Sequence, residues 1–265
     1  MNIFVISLEN SISRQNHIKK EFSKEGIPFS FFSAITPNEI KDTSKDLGID
    51  ISKADLTSGE KACFLSHFSL WKKMINENME YICIFEDDIY LGECIYDFLL
   101  NINMYPKDFD IIKLESFNNP IFVDSIFHEK ILNRDIFKLR SRNLGAAGYI
   151  ISRKCAIEIV RVLKNVEKIE AVDHFLFECL VLNKKINIYH IEPAICKQDF
   201  LINESNENFI SSLEAEREVR IKEFLSRKKI RIALSKKILR ELLRILKSIP
   251  KIFERKSKEI SSTFE

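Results

Sequence analysis

The sequence predicts an α/β domain with a mainly parallel sheet, followed by a basic helical extension. Two observations carry that expectation. Strand-length apolar runs alternate with segments of helical period as far as about residue 212, and beyond that point the charge changes sign. The first 216 of the 265 residues hold 25 Lys and Arg against 33 Asp and Glu, whereas the last 49 hold 16 against 6. The α/β domain is therefore expected over residues 1–212 and the extension over 213–265.

Asn2 to Leu8 is a β-branched and aromatic run, so it reads as the first strand, and Ser13 to Gly26 has helical spacing with a glycine at its end. Phe29 to Ile35 reads as a second strand, and the polar stretch that follows, with Pro37 and Gly48, as a loop. Thr57 or Ser58 can cap a helix through Met74, because Ala62, Leu65, Ser66, Leu70 and Met74 share one face. Tyr81 to Phe85 is a buried-strand run that stops at three acids. Strands are also expected over Phe109–Leu114, Gly145–Ser152 and Ile186–Ile191, with helices over Lys154–Lys164 and Ala171–Leu182.

Hydrophobic residues make up 45% and charged residues 30% of the chain, with six Gly and six Pro, which is the balance of a folded protein rather than a disordered one. The six cysteines mostly sit in apolar runs and none form a CxxC pair, so they read as reduced core residues, with neither a disulfide framework nor a zinc spacing. Met1 to Ile6 has no basic segment before it, and no apolar run approaches the roughly 18 residues of a membrane span. The expected location is the cytoplasm or the cytoplasmic face of the inner membrane.

The extension supplies a reason for the second of these. Ile238, Leu242, Ile245 and Ile249 fall at spacings of 4, 3 and 4, with Leu239, Leu243 and Leu246 widening the face and Pro250 ending it. Lys236, Lys237, Arg240, Arg244 and Lys247 would then meet anionic lipid. The competing reading is a solvated helix packed on the body or on a second subunit. Nucleic acid ranks lower, since the interleaved residues are aliphatic rather than stacking aromatics.

Four constellations could carry chemistry. Glu86, Asp87 and Asp88 end an apolar strand, where ligands bind in open α/β sheets. A period of two puts Glu86 and Asp88 on one side and Asp87 on the other. Oxygen donors of this kind suit Mg²⁺ or Mn²⁺ bridging to a diphosphate, while the alternative is a solvated acidic turn. On the helix from Ser58, Gly59, Ala62, Cys63 and Ser66 form a small-residue stripe, and His67 and Trp71 stack one turn apart. Asn143 to Tyr149 is small enough for a ligand to reach the backbone, but equally allows a tight strand crossing. Asp173 is either the N-cap of a helix or a general base. Neither GxGxxG nor GxxxxGK[ST] occurs, which weakens dinucleotide and nucleoside-triphosphate readings.

Taken in order, these residues resemble glycosyltransferase family 25, the lipooligosaccharide β-galactosyltransferases of Gram-negative bacteria. The likeness runs over about residues 1–200, through Val5-Ile6-Ser7-Leu8 and Arg14, GEKACFLSHFSLW from Gly59, FEDDI from Phe85, GAAGYIIS from Gly145, VDHFLF from Val172, and Pro193 to Gln198. It implies a Rossmann-like GT-A fold and inverting transfer of galactose from UDP-galactose to a terminal sugar of a glycolipid, the lipooligosaccharide or lipopolysaccharide core. It also implies Glu86 and Asp88 on Mn²⁺ or Mg²⁺, and Ser7, Leu8, Arg14, Asp87, Gly145 and Gln198 around the donor. His67 and Trp71 would line the pocket, with Asp173 as the base. The family commonly begins VINL where this chain has Val5-Ile6-Ser7-Leu8, so a donor contact from an asparagine there is replaced or lost.

Two other readings stand beside this one. A metal-dependent phosphoryl hydrolase or nuclease would use Glu86, Asp88, Asp110 and Glu115, although no nucleophile motif accompanies them. A non-catalytic adaptor would only bind a nucleotide and reach the membrane through its basic tail.

Overall fold

The computed structural model describes residues 1–52, 54–117, 120–164, 169–182, 185–202 and 257–264. Strand β1 (Asn2–Ser7) leads into helix α1 (Ile12–Lys24) and then β2 (Ser30–Ser33), which lies parallel to β1. The glycine stop works as expected. Gly26 takes a φ of 64°, its N–H donates to Ser23 O at 3.3 Å, and Ile27 N–H donates to Phe22 O at 3.1 Å, closing the helix in a Schellman turn.

The expected loop after β2 is instead helical. Thr36 and Glu39 form a capping box, Pro37 opens a 3₁₀ turn, and α2 (Ile40–Leu47) ends on Gly48 at a φ of 68°. Pro37 and Gly48 are thus the start and stop signals of a short helix rather than breakers. Helix α3 (Ser58–Asn76) begins at Thr57, whose Oγ1 accepts from Glu60 N at 3.1 Å while Glu60 Oε2 accepts from Thr57 N at 2.9 Å.

The central layer is a nine-stranded sheet joining β3 (Tyr81–Glu86), β5 (Ile111–Lys113), β6 (Ile121–Ile131), β7 (Arg134–Leu139), β8 (Gly148–Ser152), β9 (Ile188–Glu192) and β11 (Ser257–Ile260) to β1 and β2. Its order is β11-β6-β7-β9-β5-β8-β3-β1-β2. A separate ribbon pairs β4 (Ile89–Leu91) with β10 (Cys196–Gln198). The sheet is mixed rather than mainly parallel, with β1–β2, β1–β3 and β5–β9 parallel and the other five pairings antiparallel. Two features cause the departure. β8 inserts antiparallel between β3 and β5, and the β6–β7 hairpin turns at Leu132, which takes a φ of 55° where such turns usually place Asn or Gly.

Alternate residues of the central strands feed two cores. Phe4, Ile6, Ile82 and Ile84 face one side, against α3 and α5 (Arg153–Leu163), through Phe64, Phe68, Trp71, Ala156 and Ile159. Ile3, Val5, Cys83 and Phe85 face the other, against Ile18 and Phe22 of α1 and Phe98 of α4 (Ile95–Leu100). Burial on both faces is why these strands read as unbroken apolar runs.

The helix expected over Ala171–Leu182 is one α turn, α6 (Val172–His174), followed by π-helical backbone over Phe175–Cys179. At the other end, α7 (Asp199–Ile202) follows β10 directly. The amphipathic stretch 236–249 lies outside the described residues. The helical extension expected through residue 265 is corrected at its end, because Ser257–Ile260 form β11, antiparallel to β6. Unpaired edge groups on β6 provide hydrogen bonds that a surface helix would not satisfy. Among the described residues no helix is long and apolar enough to cross a membrane.

The Thr57 cap gives a test of this local reading. Thr57→Ala is expected to lower the unfolding free energy by about 1 kcal/mol in a urea titration. An unchanged midpoint would show that the cap contributes nothing.

Candidate active site

The carboxyl ends of β1, β3, β5 and β9 open on one edge of the sheet, because β5 runs antiparallel to β8 and β8 antiparallel to β3. That edge gathers Ser7, Glu86, Glu115 and, through the β4–β10 ribbon, Gln198. It is the edge where an open α/β sheet presents its ligand crevice.

Glu86 closes β3, and Asp87 and Asp88 form the turn before β4. The expected division of the three holds. Asp87 turns toward β1 and α1, where its Oδ2 accepts from Ser7 Oγ at 2.6 Å and its Oδ1 from Arg14 NH1 at 2.7 Å. Glu86 and Asp88 instead share Gln198, whose Nε2 lies 3.4 Å from Glu86 Oε2 and 3.2 Å from Asp88 Oδ1. Ser7 therefore orients Asp87. Asp88 is also held through its backbone, since its carbonyl accepts from Asp199 N at 2.8 Å.

The charges at this edge do not balance. Arg14 faces three carboxylates, with NH1 also 3.6 Å from Asp88 Oδ2. Burial opposes the Arg14 charge, but Asp88 and Asp87 outweigh it and raise its pKa. Asp88 responds in the opposite sense. Burial first, and then the Glu86 charge, push its carboxyl up to about 7 against the pull of Arg14. Glu86 is the most open of the three, with 26% of its side chain exposed.

Behind Glu86 lies a fully buried relay. His67 Nε2 is 3.4 Å from Glu86 Oε1, His67 Nδ1 is 2.8 Å from Tyr149 Oη, and Trp71 Nε1 donates to the same Oη at 3.0 Å. His67 and Trp71 were expected to line the substrate pocket, but both are 0% exposed. Both rings lie in the core, His67 stacked on Tyr149 and Trp71 edge-on to Phe64 and Phe68. His67 thus positions Glu86 from behind, and Trp71 holds Tyr149.

Gly145 is likewise corrected. At a φ of 84° it accepts from Lys113 Nζ at 2.5 Å, and a Cβ there would stand 2.6 Å from the Glu115 carboxylate. The room left by the small residues is filled by Glu115 rather than by a ligand, so the tight-crossing alternative is the one realised. Glu115 and Lys113 are both fully buried and 3.1 Å apart, and Ala147 N donates to Glu115 Oε2 at 3.0 Å. Burial pushes the Glu115 carboxyl up to about 7, with Lys113 pulling it down. This pair escaped the sequence reading, although residues two apart on one strand share a face. Tyr149 escaped because nothing local links it to His67.

Leu8 turns outward, and its carbonyl accepts from Gln15 Nε2 at 2.9 Å and Ser11 N at 3.0 Å. Asp173 is not the N-cap of its helix, since Ala171 holds that place. Its turn packs on α3 through Phe175 and Phe64, with ring centroids 6.0 Å apart. Asp173 Oδ1 is buried without a hydrogen-bond partner among the described residues. Asp110 lies at the opposite edge, accepting from Asn187 N at 2.8 Å and paired with Lys154. The four carboxylates of the hydrolase reading therefore do not converge. A cleft lined by Glu80, Asp110, Arg153 and Lys154 marks that opposite edge, where Lys154 Nζ lies 3.5 Å from Asp110 Oδ1.

The raised Asp88 pKa fixes the sign of a pH effect. Between the ordinary carboxyl range and about 7 the folded chain keeps a proton that the unfolded chain has lost, so stability falls as pH rises through that window. Asp88→Asn is therefore expected to raise the melting temperature more at pH 8 than at pH 5 in chelator-containing buffer. A gain that is the same at both values would contradict the assignment.

A family model described as glycosyltransferase family 25 (LPS biosynthesis protein) matches residues 1–176. The chain is 36% identical to the lipooligosaccharide biosynthesis protein lex-1 of Haemophilus influenzae, over 95% of this chain and 91% of that one. It is 36% identical to the lacto-N-neotetraose biosynthesis glycosyltransferase LgtE of Neisseria gonorrhoeae, over 75% and 74% of the two chains. Among solved structures, a glycosyltransferase involved in the glycosylation of the major capsid of PBCV-1 overlaps 75% of this chain and 92% of its own, at 12% identity and a TM-score of 0.38, too remote to bear on the site. With the family model covering most of the α/β domain and these relatives spanning nearly the whole chain or three quarters of it, the protein belongs to glycosyltransferase family 25.

Proposed function

We propose that this glycosyltransferase moves galactose from UDP-galactose, with inversion, onto a terminal sugar of a lipooligosaccharide or lipopolysaccharide core. The observation that carries the reading is the convergence of Glu86, Asp87 and Asp88 at the open sheet edge, with Arg14 alone paired to them by charge among the fully ionised side chains of the described residues. The names of the relatives, lipooligosaccharide and lacto-N-neotetraose biosynthesis, support an acceptor of that kind.

The donor set fits a hard divalent cation. Glu86 and Asp88 offer carboxylate oxygens to one side, and burial holds Asp88 up to about 7 for want of positive charge. Mn²⁺ or Mg²⁺ bound there would supply charge to the departing diphosphate. The chain's own residues do the rest. Ser7 and Arg14 keep Asp87 aimed, and Gln198 keeps Glu86 and Asp88 together. The acceptor hydroxyl oxygen bonds to the anomeric carbon as the bond to the diphosphate oxygen breaks and its electron pair leaves with UDP. Asp173, whose Oδ1 has no competing donor among the described residues, is the group we assign to take the hydroxyl proton. One base and one leaving group suffice for inversion, so no second catalytic carboxylate is required.

A panel of UDP-sugars assayed with Mn²⁺ and a lactosyl-type glycolipid is expected to show transfer from UDP-galactose above all others. Asp88→Ala is expected to abolish it. Asp173→Asn is expected to retain donor binding while losing at least about 100-fold in turnover. Preference for another sugar would overturn the donor, and full turnover by Asp173→Asn would remove it as base.

The basic residues Lys236, Lys237, Arg240, Arg244 and Lys247 are assigned to an anionic membrane surface that carries the acceptor. Because β11 returns to the sheet, the test is charge reversal of these five rather than truncation. Co-sedimentation with phosphatidylglycerol liposomes is expected to be lost in that variant, and equal binding would sink the idea.

A further inference from the structure

The face of α3 that looks at Glu86 carries a second chemistry, unlike that of the three acids. Cys63 and His67 are one helical turn apart, and Glu86 arrives opposite them from the end of β3. Cys63 Sγ lies 3.9 Å from Glu86 Oε1, His67 Nε2 lies 3.4 Å from it, and the three ligand atoms are all within 4.8 Å of one another. Tetrahedral zinc, with bonds of about 2.0 Å to nitrogen or oxygen and about 2.3 Å to sulfur, separates its ligand atoms by roughly 3.3–3.7 Å. The trio is therefore within about an ångström of the required spacing.

We propose that Cys63, His67 and Glu86 form a reversible binding site for a thiophilic divalent cation, Zn²⁺, and that its occupation inhibits transfer by taking Glu86. Sulfur and imidazole favour Zn²⁺ over Mg²⁺ and Mn²⁺, which prefer oxygen. The imidazole is oriented for this role. Its Nδ1 faces Tyr149 Oη at 2.8 Å, and that oxygen is fixed by Trp71 at 3.0 Å, an outer-shell arrangement of the kind that holds metal-binding histidines. Tyr149 Oη can accept from both rings, so the imidazole proton can sit on Nδ1 and leave Nε2 to the metal. The Cys63 thiol proton is released to solvent on binding.

His67 is fully buried, but Cys63 and Glu86 are partly exposed, which opens an approach and leaves the fourth position to water. The consequence for the enzyme follows from the shared ligand. Glu86 Oε1 points to this site, whereas Oε2 points toward Gln198 beside Asp88. Zinc on Oε1 would draw the carboxylate away from Asp88. Cysteine spacing along the chain carries no sign of such a site, because its third ligand comes from another element.

Cobalt(II) titrated into the full chain supplies the spectroscopic probe. A thiolate-to-cobalt charge-transfer band in the near ultraviolet is expected to saturate at one ion per chain. It is expected to vanish in Cys63→Ser and Cys63→Ala and to persist in Cys94→Ser and Cys179→Ser, which remove the exposed thiols. In the transfer assay, Cys63→Ser is expected to keep its Mn²⁺-supported rate and to raise the Zn²⁺ concentration for half-inhibition at least about 10-fold. Absence of the band in the wild type, or its survival in both Cys63 variants, overturns the site. Unchanged zinc inhibition overturns the inhibitory role. The absorption needs no turnover, so it stays readable even if the donor or the role of Asp88 proves different.

Discussion

Repulsion among Glu86, Asp87 and Asp88 is the constraint around which the rest of the open sheet edge is arranged. Three adjacent carboxylates held at a partly buried strand end need partners, and each partner comes from a different part of the chain. β1 and α1 send Ser7 and Arg14 to Asp87. β10 sends Gln198 across to Glu86 and Asp88, and α3 sends His67 to the back of Glu86. The partners are still too few, which is why burial and the neighbouring charge leave Asp88 protonated up to about 7. A carboxylate cluster left short of positive charge in this way is the kind of perturbation that gathers at functional sites rather than serving stability.

The price of that arrangement is met by the sheet and its two cores. Phe4, Ile6, Ile82 and Ile84 bury one face while Ile3, Val5, Cys83 and Phe85 bury the other, so β1 and β3 are held rigidly side by side. Rigid strands place Ser7 and Asp87 within 2.6 Å of each other across 80 positions of sequence. A loop-borne site would give the repelling carboxylates room to move apart. The buried Lys113–Glu115 pair does the same for the neighbouring strand, tying the backbone at Leu144 and Gly145 to β5.

Much of this was legible in the chain, and the misses have physical causes. β3 was plain because a strand buried on both faces is apolar throughout, and α3 because Thr57 and Glu60 make a capping box. The fold's mixed sheet was not, because strand direction depends on which partner a strand meets, and β8 carries no local mark of running against β3. α2 was misread since Pro37 and Gly48 serve equally as loop residues and as helix limits. His67 and Trp71 looked like pocket residues because a polar ring on an apolar face is equally consistent with a buried relay, and only the depth of α3 against the sheet separates the two.

From sequence alone came the residue types and their local spacing: three acids at a strand end, a His and a Trp on one helical face, an ordered series of blocks shared with a glycosyltransferase family, and a basic segment after an acidic body. Period and capping are properties of neighbours along the chain, so they can be read there. Tertiary structure alone decided which carboxylate each partner serves, that Gly145 makes room for Glu115, that Ser257–Ile260 return to the sheet edge, and that Cys63 and His67 face Glu86. Those relations join residues tens to more than a hundred positions apart. They are set by how two faces of one sheet are packed, which no local pattern records.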